Sequence, residues 1–373
     1  MKIRIVGEPM FNKYGVTGAL ILLAREFRRR GINVEIVSSL IKPEVRVELE
    51  RFASVIDLGF KNILLNEAST SFVEIWLREA IMRQISKRFK QLISQGGYVA
   101  DATINMSNTI AIESTAWYAQ GPVFEAMEHI YPYTPLKYKI PYITTRKLIK
   151  YLDIKLMQSL RKLSKIACSN SYTMKRIYER LGIPIDCVIY EPLDTEFFRS
   201  TTGRPREDYV LVYFGKETDY VVVKKVADRG VKIKAFGSKA TSIVPKYVLN
   251  NPNIEVLGHV TDSELVELYS NALLTLFPFT EEPFGYIPVE SMACCTPVLT
   301  YNRQGPSETV VNGVTGWLAN SDKELIELAI RIWKNGYPSW MRARCRERAL
   351  EFDVKVIANK WLNILKKLKN NTT

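Results

Sequence analysis

The sequence is short of the side chains from which most protein metal centres are built. Its 373 residues include two histidines and five cysteines, and no two cysteines form a C-x-x-C pair. A structural zinc site needs four such ligands at short spacings, so the composition argues against one. We expect all the cysteines to be buried free thiols of a protein in a reducing cytosol. They are Cys168, Cys187, Cys294, Cys295 and Cys345.

Long apolar runs are also missing. No stretch approaches the roughly 20 consecutive apolar residues that span a bilayer. The N-terminus MKIRIVGEP is typical of a first strand rather than of a signal peptide. We therefore expect a cytoplasmic protein, with peripheral contact to the cytosolic face of a membrane as an open possibility.

Acidic residues are outnumbered. The chain has 52 Lys and Arg against 39 Asp and Glu, a formal net charge of +13. Nucleic acid, an anionic membrane surface and phosphate-bearing substrates all attract such a charge. Composition alone leaves the three open.

Strand and helix patterns alternate along the chain. KIRIVGE predicts a strand, GALILLAREFRRRG an amphipathic helix that ends at Gly31, and NVEIVSS the next strand. ADATINM, GPVFEAM and KIACSN are interpreted as further buried strands. This order predicts an α/β fold with a parallel sheet and right-handed crossovers.

A polar, turn-rich segment, STTGRPRED at 200–208, divides this alternation in two. We predict a Rossmann-like domain over 1–199, a linker over 200–208 and a second Rossmann-like domain over 209–352. The last helix, within 353–373, is expected to cross back to the first domain. Two doubly wound domains would face a cleft, with ligands beyond the carboxyl ends of their strands.

Two glutamates flank a turn between a predicted strand and a predicted helix, in EEPFGYIPVESMACCTPVL at 281–299. Gly285 permits close backbone approach or a positive φ, and Pro288 suits the first turn of a helix. We therefore place Glu290 in that first turn, where the helix N-terminus favours an anion such as a phosphate. Glu282 and Glu290 would then flank a phosphate cradle, and each carboxylate can accept hydrogen bonds from vicinal hydroxyls. A sugar nucleotide fits this arrangement; the alternative is one glutamate that only favours the helix dipole and another that lies on the surface.

EPFGYIPVESMACCTPV resembles the pattern E-P-F-G-x-x-x-x-E-A-M-A-C-G-x-P-V of the retaining nucleotide-sugar glycosyltransferases of family 4, which have the two-domain GT-B fold. Ser291 replaces the usual alanine and Cys295 the usual glycine. In NRQGPSETVVNGVTGWL, Gln304 stands where a second glycine is common. The likeness covers most of 160–355 and is loose over the first 150 residues. It implies an acceptor-side first domain and a nucleotide-sugar-binding second domain.

The resemblance implies roles for residues around the turn. Glu290 would bind the ribose hydroxyls of the donor, and Glu282 would lie beside the hydroxyls of the transferred sugar. The backbone amides of Phe284, Gly285 and Tyr286 would hold the diphosphate or the sugar.

The resemblance also implies a cationic clamp for the diphosphate. Lys216 in VYFGKETD has the place of the family's first basic residue. Val222 stands where a second one is usual, and Lys224 or Lys225 is the alternative for that role.

Two residues of the first domain match the family more loosely. Gly15, in the turn after the first strand, would allow close backbone approach to acceptor or phosphate. His129 would lie near the sugar-phosphate of the donor. The alternatives are a loop glycine and a structural histidine.

The expected reaction needs no metal and no cofactor beyond the nucleotide-sugar co-substrate. The chain contains no D-x-D element, which many glycosyltransferases use to hold a metal. Cations and helix N-termini can instead stabilise the departing diphosphate. The resemblance implies transfer of a hexose-type sugar with retention of configuration, and no residue stands out as a covalent nucleophile.

The acceptor is expected to contact the first domain, as a glycan or a lipid-linked sugar. The stretch YTPLKYKIPYITTRKLIKYLDIKLMQSLRKLSK has nine basic residues and one acid, Asp153. Lysines and tyrosines on amphipathic segments suit the headgroup region of an anionic membrane. A solvated basic face is the alternative.

Two other readings remain open. A nucleic-acid-binding protein would use the +13 charge, but that reading leaves the E-P-F-G stretch without a purpose. The same fold could also serve a sugar-nucleotide epimerase, a phosphorylase or an inactive relative.

Overall fold

A computed structural model describes residues 1–11, 15–59, 73–96, 99–131, 136–241, 243–279 and 281–370. For the helical residues 73–81, 95, 96, 129, 130, 136–138, 141 and 370, it describes the backbone alone. Elements are numbered in chain order. The chain divides into unit 1, Met1–Pro192 with Val354–Thr373, and unit 2, Leu193–Asp353.

Unit 2 begins earlier than the linker predicted at 200–208. The Leu193 N–H donates to the Phe352 carbonyl at 2.9 Å, and Thr195 Oγ1 donates to Asp353 Oδ2 at 2.5 Å. Phe198 packs against an apolar cluster of unit 2. These contacts place residues 193–199 with the second unit.

Unit 1 contains a sheet of seven parallel strands in the order β3-β2-β1-β4-β5-β6-β7. The strands are β1 Lys2–Gly7, β2 Asn33–Ser38, β3 Ser54–Asp57, β4 Ala102–Asn105, β5 Ser114–Ala119, β6 Ser164–Ser169 and β7 Cys187–Val188. The helices are α1 Val16–Arg29, α2 Pro43–Leu49, α3 Val73–Gly96, α4 Val123–Ile130, α5 Leu136–Lys162, α6 Tyr172–Arg180 and α14 Val354–Asn370.

GPVFEAM does not form the predicted strand. It begins α4, and the fifth strand is instead STAWYA, Ser114–Ala119. Pro122 precedes the helix with extended backbone, and the Phe124 N–H donates to Asp153 Oδ2 at 2.9 Å. A carboxylate from another helix thus satisfies an amide of the first turn, which the local sequence could not indicate.

The expectation of five free thiols is wrong for two of the cysteines. Cys168 on β6 and Cys187 on β7 form a disulfide, with their Cα atoms 4.5 Å apart. The two residues face each other in the parallel register of the strands. Cys294 and Cys345 are buried free thiols, and Cys295 is a partly buried one.

The C-terminal helix belongs to unit 1, as predicted. Trp361 on α14 is fully buried and meets the ring of Tyr118 edge-on at 5.2 Å. The Arg30 side chain, just past α1, donates to the Lys355 carbonyl at 2.9 Å. The helix therefore completes the layer that α1 begins.

Unit 2 contains six parallel strands in the order β10-β9-β8-β11-β12-β13. They are β8 Val210–Phe214, β9 Ile233–Gly237, β10 Ile254–Gly258, β11 Leu274–Phe277, β12 Val298–Tyr301 and β13 Gly316–Ala319. The helices are α7 Tyr220–Ala227, α8 Lys246–Leu249, α9 Asp262–Asn271, α10 Tyr286–Ala293, α11 Pro306–Thr309, α12 Asp322–Asn335 and α13 Trp340–Leu350. The predicted α/β class with two doubly wound sheets is confirmed. Among the helices described, none has the length and apolarity to cross a bilayer.

Candidate functional site

The strand order of unit 2 reverses between β8 and β11, which are neighbours in the sheet. The loops that follow these strands are joined. The Asp219 N–H donates to the Pro278 carbonyl at 3.0 Å, and Thr218 forms an antiparallel bridge with Phe279. Open α/β sheets bind ligands beyond the carboxyl ends of their strands at such a point. Both the loop with Lys216 and the loop with Glu282 begin here.

The turn after β11 folds back on the Glu282 side chain. Gly285 has φ 93° and ψ 76°, a left-handed conformation that glycine adopts without strain. Its N–H donates to Glu282 Oε1 at 3.2 Å. The carboxylate therefore lies against the backbone amides to which the resemblance assigns ligand binding.

Gly305 supports this turn from the next loop, and the sequence analysis did not identify it. A Cβ at Gly305 would lie 2.4 Å from Phe284 Cα and 2.4 Å from the Pro283 carbonyl oxygen. The Gly305 N–H donates to the Glu282 carbonyl at 3.0 Å. A glycine directly before Pro306, after a predicted strand, was the available signal for a close backbone approach.

The Phe284 side chain anchors the turn. It is buried and meets the rings of Tyr286 and Phe352 edge-on, at 5.3 and 5.6 Å. The side chain therefore holds in place the Phe284 backbone amide, which the resemblance assigns to binding of the diphosphate or the sugar.

Helix α10 begins at Tyr286, directly after Gly285, so the placement of Glu290 in its first turn is wrong. The left-handed backbone of Gly285 turns the chain straight into the helix, and Pro288 becomes its third residue and Glu290 its fifth. Tyr269 on α9 donates its hydroxyl to Glu290 Oε2 at 3.1 Å. Sequence analysis missed Tyr269, which lies one helix earlier in the chain.

Both glutamates of the pair have perturbed acidities. Burial raises the pKa of Glu282 to about 7, with a further contribution from the charge of Glu217, although the amides of Phe284 and Gly285 oppose it. Burial likewise raises the pKa of Glu290 to about 7, against the hydrogen bond from Tyr269. Two carboxyl groups that titrate near neutrality at the switch point of a sheet are typical of a functional site.

Of the residues considered for the cationic clamp, Lys216 lies in a loop at the switch point, and Val222 and Lys224 lie in α7. Lys216 follows Gly215 in the loop after β8 and is exposed. Val222 is fully buried in the core of unit 2. Lys224 lies in the last turn of α7 and pairs with Asp228, Nζ to Oδ2 at 2.5 Å.

The N-terminus of α7 is capped by an acid. The carboxylate of Asp219 accepts hydrogen bonds from the Val221 and Val222 N–H groups, each at 3.0 Å. The position of the family's second cation is therefore apolar and lies beside a carboxylate.

The two predicted residues of unit 1 lie in separate elements. Gly15 precedes α1 with φ 58°, is exposed, and has no atom within 4 Å of an added Cβ. His129 lies in α4, and its side chain is outside the described part of the chain. Within the described residues, no group of three or more His, Cys, Asp or Glu side chains is placed to hold a metal ion.

Residues 246–352 match the sequence model of the glycosyl transferases group 1 family. An uncharacterized glycosyltransferase of Methanocaldococcus jannaschii is 25% identical over 196 residues, 51% of this chain and 55% of that relative. The chain thus spans just over half of that relative's length. These matches confirm the resemblance to glycosyltransferases that the E-P-F-G stretch indicated, and the matched region contains Glu282, Gly285, Glu290 and Gly305.

Solved structures share the fold over the whole chain. Sucrose-phosphate synthase from Thermosynechococcus elongatus has a TM-score of 0.72 at 15% identity, over 99% of each chain. Anabaena HepE in complex with UDP has a TM-score of 0.67 at 15% identity, over 98% of this chain and all of that one. The GT-B fold expected from the resemblance is confirmed.

Proposed function

We propose that this protein is a glycosyltransferase that moves a hexose-type sugar from a nucleoside diphosphate to a hydroxyl acceptor, with retention of configuration. One observation carries the proposal. Two partly buried carboxyl groups with pKa values near 7, Glu282 and Glu290, lie on one turn and helix at the switch point of a doubly wound sheet. Few structural roles account for two such groups, because burying a carboxylate without a ligand or a cation is costly.

The donor binds in unit 2. Glu290 on α10 accepts hydrogen bonds from the ribose hydroxyls, since a carboxylate can serve both hydroxyls of a vicinal pair. Glu282 accepts hydrogen bonds from the hydroxyls of the transferred sugar. The amides of Phe284 and Gly285, which now serve the Glu282 carboxylate, turn to the diphosphate or the sugar when the donor binds.

Departure of the nucleoside diphosphate builds negative charge on phosphate oxygens. Lys216 and the first-turn amides of α10 stabilise that charge without a metal, because cations and helix N-termini oriented toward a developing anion lower the barrier. The acceptor hydroxyl attacks from the side of the leaving group, so that configuration is retained.

The donor screen starts from uridine nucleotides. Anabaena HepE, which has the same fold, is complexed with UDP, and in a further structure with UDP-glucose. We therefore propose a UDP-sugar as the first donor to test, followed by GDP- and ADP-sugars.

A thermal-shift and calorimetric screen of these donors tests the proposal. A ligand at about 100 times its Kd stabilises a protein by about 2.7 kcal/mol. We expect one donor class to raise the Tm of the wild type and Glu290→Ala to lose most of that rise. Glu327→Ala on α12, where the side chain is 65% exposed, is the matched control and should respond like the wild type. An equal response of Glu290→Ala and wild type would remove Glu290 from the site.

Glu282→Ala separates binding from turnover. It should keep most of the donor affinity and lose transfer to the acceptor, since its proposed partner is the transferred sugar. Unchanged turnover would remove Glu282 from its role. Product analysis identifies transfer, epimerisation or phosphorolysis.

The buried Val222 and the Lys224–Asp228 pair favour one further candidate, an inactive relative that binds the nucleotide. In that case the donor would raise the Tm through Glu290, and neither transfer nor hydrolysis of the donor would follow. The same screen distinguishes this outcome from an active enzyme.

A further inference from the structure

We propose that the N-terminal half of α5 is an interfacial helix that seats unit 1 on an anionic lipid bilayer. One side of α5 packs within the unit: Tyr142, Ile149 and Leu160 are at most 1% exposed. Asp153, the acid of this helix, is also buried on that side. The helix is thus held by its own core face, and its opposite face is available to a partner.

The opposite face carries an apolar stripe, defined as Ile140, Ile143, Leu148 and Tyr151. Their exposed fractions are 61%, 59%, 39% and 52%. At 100° per residue the four side chains lie within one half of the helix surface, away from Tyr142 and Ile149. Single exposed apolar side chains are ordinary, whereas four within three turns of one helix form a patch that indicates a partner.

The charge around the stripe is positive. Lys147, Lys150 and Lys155 are exposed on the same helix. The neighbouring helix α3, which packs against α5, exposes Arg83 and Lys87. Because Asp153 is buried on the opposite side of α5, the exposed charged side chains described on this helix are basic, and they complement anionic headgroups.

The stripe lies beyond the carboxyl edge of the sheet. Asp153 accepts the N–H of Phe124, which follows the carboxyl end of β5 by a few residues. Helix α5 is roughly 40 Å long, at 1.5 Å per residue. Strand β6, into which it leads, is roughly 20 Å long. The half of α5 before Asp153 therefore extends past the edge where ligands bind in doubly wound sheets.

A bilayer fits this surface better than a nucleic acid does. Aliphatic tips flanked by lysine ammonium groups are typical of helices that lie in the headgroup region. Proteins that bind single strands instead stack bases on aromatic side chains, and three of the four stripe residues are aliphatic. If the proposed function holds, a helix in this position would present a lipid-linked acceptor to unit 1. Binding of α5 to the bilayer does not itself depend on glycosyl transfer.

Sedimentation with vesicles of phosphatidylcholine, with and without phosphatidylglycerol, tests the proposal. The full chain should bind the anionic vesicles. The triple variant Ile140→Ser, Ile143→Ser, Tyr151→Ser should bind at least about tenfold more weakly, because it loses the inserted apolar surface. The pair Lys147→Gln, Lys150→Gln should weaken binding at low salt and have little effect at high salt. Tyr247→Ser in unit 2, at a side chain 45% exposed, is the matched control and should bind like the wild type.

The stripe substitutions are on the surface, so each variant should keep the Tm and the donor response of the wild type. Absence of vesicle binding by the wild type would overturn the proposal. So would equal binding of the triple variant, or retention of an RNA oligonucleotide in place of vesicles. Loss of donor binding together with intact vesicle binding would overturn the proposed function alone.

Discussion

The first six strands of unit 1 have the same order in the sheet as the six strands of unit 2, and the two sheets differ in the carboxylates at their carboxyl edges. In unit 1, Glu8 follows β1 and accepts hydrogen bonds from the Asn108 N–H at 2.7 Å and the Thr109 hydroxyl at 2.5 Å. In unit 2, Glu282 and Glu290 accept longer bonds, at 3.2 and 3.1 Å, and their pKa values rise to about 7.

The difference separates a carboxylate that holds loops together from two carboxylates with longer hydrogen bonds, which we propose bind the donor. Glu8 joins two loops of its own sheet through short, charge-assisted hydrogen bonds. Glu282 and Glu290 are partly buried and have weaker partners, so their carboxylates carry a desolvation cost that a hydroxyl-rich ligand would offset. A shared strand order therefore does not assign function, and the state of the side chains at the edge has to be compared as well.

The largest expected effect comes from adding a methyl group at Gly305, which packs against the backbone of the E-P-F-G turn. Gly305→Ala should lower the free energy of unfolding by about 3 kcal/mol, because its Cβ would meet backbone atoms at 2.4 Å. Gly7→Ala, at the corresponding edge of unit 1, would meet the side-chain ends of Met10 and Leu20 at 2.6 and 2.8 Å. Those ends can move, so about 1 kcal/mol is expected.

Denaturant unfolding, followed separately for each unit by hydrogen exchange, measures the two variants. Gly203→Ala, with no atom within 4 Å of the added Cβ, is the control and should be close to neutral. Equal losses for Gly305→Ala and Gly7→Ala would mean that the turn of unit 2 is no more constrained than that of unit 1.

The second prediction concerns replacement of one carboxylate in each unit, Glu290 or Glu8, by an amide. Glu290→Gln should weaken donor binding by about 100-fold, roughly 2.7 kcal/mol, because an amide loses charge-assisted bonds to two hydroxyls. Glu8→Gln should lower the Tm and leave donor affinity within about twofold, since its partners belong to the protein. Isothermal titration with the stabilising donor measures both, and the comparison fails if Glu8→Gln is the variant that loses the donor.

The third prediction concerns pH. The folded pKa values of Glu282 and Glu290, about 7, lie above the ordinary value of 4.5. The folded state therefore binds these protons more tightly than the unfolded state. The resulting stabilisation is complete below about pH 4.5 and is lost as the pH rises through about 7.

The free energy of unfolding of the ligand-free protein should accordingly fall by about 2 kcal/mol per carboxyl group as the pH rises from 5 to 8. Glu282→Gln and Glu290→Gln should each flatten this slope. Urea unfolding at a series of pH values measures the slope, and a wild-type curve without it would contradict the assignment of raised pKa values.

The fold was predictable because it depends on patterns of apolar residues that repeat within each element. The two doubly wound sheets follow from such patterns and are confirmed, and the predicted return of the C-terminal helix to the first domain is confirmed too. GPVFEAM was misassigned because its helix start depends on Asp153, 29 residues along the chain. The Cys168–Cys187 pair depends on the register between β6 and β7, which residue spacing does not contain.

The turn that carries the two glutamates was predictable from the sequence, and its geometry less so. The spacing of Glu282 and Glu290 indicated the turn, but the helix start was misplaced because Gly285 takes the left-handed conformation directly before Tyr286. Tyr269 and Gly305 were missed because both act across the fold rather than along the chain. A motif thus identifies candidate ligand-binding residues, whereas the residues that support the motif from other elements are found only in the structure.

The smallest expected effect concerns the two positions where the family has glycine. Cys295 and Gln304 both have positive φ, 65° and 48°, a conformation that costs a non-glycine residue about 1 kcal/mol. Gln304→Gly should therefore raise the free energy of unfolding by roughly 0.5 kcal/mol, after the larger chain entropy of glycine is subtracted. Gln304→Ala keeps the strain and should give no gain. Cys295→Gly should gain less, because Cys295 is partly buried and its sulfur packs. Equal stability of the glycine and alanine variants at position 304 would show that the positive φ of Gln304 causes no strain. The E-P-F-G turn would then be supported from this loop by Gly305 alone.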